Sequence, residues 1–227
     1  MVNRQVFGFI EILFNHKLDS LEELIEVTEQ RLEDELDNFE KRPDQTAKEY
    51  SEQERREYFE FMSDEYWKYK DDHPQIVRQS FFLQAYFSFE HLLNDICKMQ
   101  QNLQLSLKDI NGQGLERAKL YISKVIGLPN PFNNHLWRQI QYYNTVRNLY
   151  VHNAGEFDVN NNKHRLAKDN LNYISVNRSE EFILEKEFCI EVIETFRLFT
   201  NVLREEFENP APRWIKTKYS HGSTFFY

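Results

Sequence analysis

The chain has 227 residues, of which 41 % are apolar, with 19 Phe, 12 Tyr and 3 Trp against only 6 Gly and 6 Pro. So few turn-formers exclude a sandwich of many short strands and favour long helices. There are 28 Lys or Arg and 37 Asp or Glu, a net charge of −9, which argues against a duplex-DNA binder that works through its overall field.

Two cysteines, Cys97 and Cys189, are too few for a disulfide framework or a cysteine-rich zinc site, and both sit in apolar helical stretches. No stretch approaches the roughly 20 apolar residues of a membrane span. The start, MVNRQVFGFIEILFNH, is broken by Gly8 and Glu11 and lacks a small-residue cleavage site. It reads as the beginning of a helix, with the cytoplasm as the expected location and no membrane partner.

The first helix is expected over 5–41, with Leu18, Leu21, Ile25, Leu32, Leu36 and Phe39 at spacings of three, four and seven. Pro43 interrupts it, and a second, charge-rich helix follows over 46–71, ending in Tyr58, Phe59, Phe61, Met62, Tyr66 and Trp67. The two are expected to pair antiparallel. Residues 11–72 hold 21 acids and 9 bases, so 1–73 reads as an acidic helical hairpin or arm. Pro74 opens a third helix over 74–103, whose FFLQAYFSFEHLLNDIC makes it the most buried. A fourth runs over 113–127 and stops at Gly127. In the fifth, over 131–153, Asn130 is the expected cap, Pro131 opens the first turn and Gly155 ends it. Residues 155–171 read as a polar loop in which Lys163, His164 and Arg165 are basic. YISV and EFILE can pair around NRSE as a short hairpin, and a last helix runs over 186–208. This gives an all-α fold, with a helical bundle over 74–209 and an aromatic, basic tail over 210–227.

Charge is unevenly spread. Residues 113–152 hold one acid and five bases, Arg117, Lys119, Lys124, Arg138 and Arg147, so the middle of the chain is locally basic despite the acidic total. At roughly 100° per residue, Leu136, Ile140, Tyr143, Tyr150 and Val151 of the fifth helix share one arc. Asn144, Asn148 and His152 form a polar line beside it. Arg147 falls inside the apolar arc, where a guanidinium needs an anion or strong acceptors. Glu90, equally misplaced among Leu83, Tyr86, Phe87, Leu93 and Cys97 of the third helix, is the candidate partner. His152, in the last turn, feels a helix C-terminus that favours its cation and an arginine that opposes it, a setting suited to proton exchange near neutral pH.

The string RNLYVHNAG, with Arg147, four intervening residues and His152, resembles the signature of the HEPN superfamily. The polar residue directly after the arginine is present as Asn148, and SFEHLLNDI resembles the family's earlier core helix. The resemblance covers residues 74–207. It implies a helical bundle that forms homodimers, and a metal-independent endoribonuclease whose Arg-His motifs meet across the dimer to make one composite site. Carried over, Arg147 binds the scissile phosphate, His152 moves protons, and Asn148 orients the site; Asn144 and Glu90 are added as supporting residues from their places on the fifth and third helices. The basic segment, with Arg138 and Lys124, gives RNA a foothold. No cofactor or metal is implied. A toxin branch carries a tyrosine two residues after the histidine, which an antitoxin modifies. Here that position is Ala154, so this control has no acceptor. A role as a toxin or phage-defence effector, with a protein inhibitor, is family-level analogy. Two other readings stay open on the residues: a catalytically inactive HEPN-like module that binds RNA, nucleotide or protein, and a helical scaffold whose acidic arm docks a basic partner.

Overall fold

The structure is a computed structural model that describes residues 4–40, 50–100 and 103–209. Pro43 and the aromatic, basic tail over 210–227 lie outside the described residues. Among the described residues seven α-helices, interspersed with short 3-10 and π-helical segments, and one two-stranded hairpin follow in order.

Helix α1 spans Arg4–Glu40, and its Phe7, Phe14, Leu18, Leu21 and Ile25 form one buried stripe at spacings of seven, four, three and four. Leu32 and Leu36 are half-buried, and Phe39 is buried. Helix α2, Glu52–Trp67, begins at Ser51, whose hydroxyl and backbone exchange hydrogen bonds with Glu54 in a capping box. A π-helical turn, Lys68–Asp72, leads without a break into α3, His73–Lys98. The backbone stays right-handed helical through Lys68 and His73, so residues 52–98 form one rod. Pro74, expected to open a separate helix, sits just after the wide turn. That turn absorbs the missing N–H and the ring clash that proline brings to a helix interior.

The expected pairing of the first two helices is therefore corrected. Helix α1 packs along α3 and along the last helix, α7, Lys186–Glu208. Phe14 meets Phe89, Glu29 meets Arg78 and Phe39 meets Tyr69, so α1 and α3 run antiparallel. Phe7 meets Phe207 and Glu11 meets Arg204, so α1 and α7 do the same. The boundary after residue 73 falls inside the rod, and the N-terminal helix belongs to the bundle's own core. Its acidic residues face solvent or pair with Arg78, Arg197 and Arg204.

Helix α4 covers Gly114–Leu120 and continues as a π-helical stretch, Tyr121–Ile126, which ends at left-handed Gly127. A short 3-10 turn, Asn130–Asn133, precedes α5, His135–His152. The cap of α5 is Asn134, whose side-chain oxygen accepts from the Trp137 N–H at 2.9 Å, rather than Asn130. Gly155 closes α5 as expected: at φ +87° its N–H reaches the Leu149 carbonyl, 3.0 Å away. The polar loop expected over 155–171 contains a helix instead, α6, Asn162–Asn170, capped by Asn161 and packed on α5. Its apolar anchor is small, chiefly Ala167 with Leu171 just beyond, so hydrophobic periodicity had little to register. Strands β1, Ile174–Val176, and β2, Phe182–Leu184, pair antiparallel with Ile174 opposite Leu184, which matches the expected hairpin.

Helices α1, α3, α5 and α7 surround an aromatic centre where Phe89 and Phe196 stack at 4.3 Å between ring centroids and Tyr143 stands edge-on to both Phe188 and Phe196. The fold is all-α with one short hairpin. Among the described residues no helix is long and apolar enough to cross a membrane.

Candidate functional site

Helix α5 carries most of the residues singled out from the sequence. Its inner face is pinned by Trp137, Ile140, Tyr143, Val146 and Leu149, all buried. This stripe is wider than the expected arc, and it leaves Val151, which was expected inside, 42 % exposed.

Arg147 is half-buried. Its guanidinium carbon lies 5.7 Å from the ring centre of Tyr86 and 5.2 Å from that of Phe87, both on α3. Nη1 donates to the Asn148 side-chain oxygen at 2.9 Å, and Nε is buried with no hydrogen-bond partner. The expected ion pair with Glu90 does not form: among the described residues Arg147 joins no carboxylate. Glu90 is half-buried and turns toward the start of α4. Its Oε1 lies 3.5 Å from where a side chain on Gly114 would begin. Two aromatic faces and an amide thus replace a carboxylate, and the guanidinium keeps its full charge for another anion.

The same Tyr86 ties α3 to the polar line of α5. Its hydroxyl donates to the Asn144 side-chain oxygen at 2.6 Å. Burial pushes this phenol far above its ordinary range; the Glu90 charge adds to the rise and Arg147 opposes it. The hydroxyl stays a donor at any physiological pH.

Asn144, Asn148 and His152 line one open cleft of about 200 Å³, as their i, i+4, i+8 spacing requires. Across it stand Lys163 and His164 of α6. Their basic character was legible in the sequence, but their helical placement was not. His164 Nδ1 accepts from the Asp158 backbone N–H at 3.0 Å, and burial pushes its pKa below the ordinary value. The neutral ring therefore carries its proton on Nε2. His152 is exposed at the cleft mouth.

Within one chain, Arg147 and His152 point about 140° apart around the helix, the angle that five residues give. Asn148 links them, because it bonds Arg147 and shares the cleft with His152. Arg138 and Lys124 are both exposed, and neither lines this cleft. His91 and His135 are also exposed and lie away from it. The thiols of Cys97 and Cys189 are buried and each is pushed up to about 12 by burial, so neither is a ready nucleophile. Among the described residues no three His, Cys, Asp or Glu side chains gather as metal ligands would. No family model, curated protein or solved structure matches the chain.

Proposed function

We propose that the protein is a metal-independent endoribonuclease of the HEPN type, acting as a homodimer in the cytoplasm. The observation that carries this reading is an arginine that, among the described residues, has no carboxylate partner and is coupled through Asn148 to an open cleft that His152 and Lys163 line.

The chemistry follows from the residue types. RNA supplies its own nucleophile. A neutral His152 takes the proton of the 2′-hydroxyl, whose oxygen attacks the adjacent phosphorus. The bond from phosphorus to the 5′-oxygen breaks, and the His152 that took the first proton returns it to that oxygen. The products are a 2′,3′-cyclic phosphate and a 5′-hydroxyl. Arg147 offers a forked cation to the two non-bridging oxygens, where charge builds in the transition state. A second protomer is what brings an arginine and a histidine, divergent on one helix, to opposite sides of one phosphate. Exposed Val151, next to His152, provides apolar area for that contact. Lys163, Arg138 and Lys124 hold the flanking phosphates. A toxin or phage-defence role, with a protein inhibitor over the cleft, is consistent with such a site.

A catalytically silent HEPN-like binding module is the second reading, favoured by the divergence of Arg147 and His152 in a single chain. Incubation of purified protein with mixed RNA in EDTA separates the two. Cleavage to cyclic-phosphate ends, absent on DNA and lost in Arg147→Ala and in His152→Ala, is the expected result. RNA binding without cleavage would support the silent module. Neither would return the protein to the class of helical scaffolds.

A further inference from the structure

A larger cavity, of about 630 Å³, opens between the C-terminal end of α3 and the segment leading into α4. This volume lies within the range of small-molecule sites, roughly 300–1,000 Å³. None of its lining residues is acidic, which is unusual in a chain of net charge −9. Lys98, Lys108 and Arg117 supply three cations. Lys98 is balanced by Asp95 at 3.1 Å, whereas among the described residues Arg117 and Lys108 join no ion pair. Two positive charges are thus left over. Two of the lining residues also carry a buried donor with no hydrogen-bond partner, Arg117 Nε and Gln100 Nε2. Buried donors normally find one, so this pair marks a place where an acceptor is missing. The rest of the lining is mixed: Leu103, Leu105, Leu107 and the ring of Tyr121 give it an apolar side, and His91, Asn94 and Ser106 are polar. The Tyr121 hydroxyl is already committed to the Leu105 carbonyl at 2.9 Å.

We propose that this cavity binds a small phosphate monoester whose phosphate sits on Arg117, Lys108 and Gln100 and whose aromatic or apolar body lies against the leucines and Tyr121. A monoester dianion matches the two unbalanced cations, and a guanidinium with a free Nε–H engages two of its oxygens side by side. A carboxylate brings only one charge and leaves one cation unmatched. The assignment is independent of the cleavage reading, because it shares none of that cleft's residues.

The test is calorimetric titration of the full chain with AMP and with phenyl phosphate, against adenosine, benzoate and inorganic phosphate. Saturable binding of a monoester is expected, with each fragment weaker by about tenfold or more, the worth of a charge-assisted hydrogen bond. Arg117→Gln should weaken the monoester by a similar factor. Lys108→Glu, on an exposed turn, should do so with an unchanged melting temperature, which keeps the test valid if Arg117→Gln folds poorly. No binding of either monoester at millimolar concentration would overturn the proposal. So would benzoate binding as tightly as phenyl phosphate, or equal affinity in the Lys108→Glu protein.

Discussion

Tyr86 and Asn144 join the two helices that carry the candidate site: the phenol donates to the amide oxygen at 2.6 Å, while the face of the same ring lies 5.7 Å from the Arg147 guanidinium carbon. One side chain therefore sets both the polar line of α5 and the seat of its arginine. Tyr86→Phe keeps the ring and deletes only the donor. Leaving a partly buried amide oxygen unsatisfied should cost about 1–3 kcal/mol of stability, read by urea unfolding. RNA affinity should fall less in this variant than in Tyr86→Leu, which also removes the cation–π face. Equal affinity in both would show that the ring does not seat Arg147.

The cleft has a pH-sensitive wall. Burial holds His164 below its ordinary value of 6.5, and its Nδ1 must be unprotonated to accept from Asp158. A histidine depressed in the folded state contributes stability that is present above the unfolded value and is lost as pH falls through the folded one. Acidification below about 6.5 should therefore loosen the join between Asp158 and α6. The Asp158 amide resonance should titrate with an acid-shifted midpoint, and His164→Ala should remove that titration. A midpoint at or above the ordinary value would contradict the geometry.

Glu29 is 1 % exposed and accepts two bonds from Arg78, each 2.7 Å long. Arg78→Ala leaves that carboxylate buried and unpaired, and should destabilise the protein by about 3–5 kcal/mol. Replacing both partners together, Glu29→Met with Arg78→Met, should cost much less, because no orphaned charge remains. Urea unfolding of the three proteins decides the point. A double variant as unstable as Arg78→Ala would mean that the pair acts through packing rather than charge.

The proposed homodimer with a composite site makes a prediction about mixtures. Arg147→Ala and His152→Ala homodimers should each lose about 10²-fold or more in cleavage rate, the usual worth of a positioned acid or base. Unfolded and refolded together, they form heterodimers that hold one intact arginine and one intact histidine. Cleavage above that of either parent is the expected outcome, read on a fluorescent RNA. A mixture no faster than its parents would count against a site shared between protomers.

The amino-acid order by itself determined the helical class, the ends of α7, the stop at Gly127 and Gly155, and the hairpin, because each rests on local chemistry: apolar spacing, capping and left-handed glycine. It also put Asn144, Asn148 and His152 on one face, since helical geometry alone fixes that. Only the tertiary structure decided what faces what. Periodicity says which side of a helix is buried and nothing about which helix buries it. So α1 could be expected beside α2 when it lies against α3 and α7, and Glu90 could be expected beside Arg147 when two rings and an amide lie there instead. Helix α6 stayed hidden for the related reason that its polar residues form a helix chiefly by resting Ala167 and Leu171 on the rest of the bundle, a contact that no local pattern encodes.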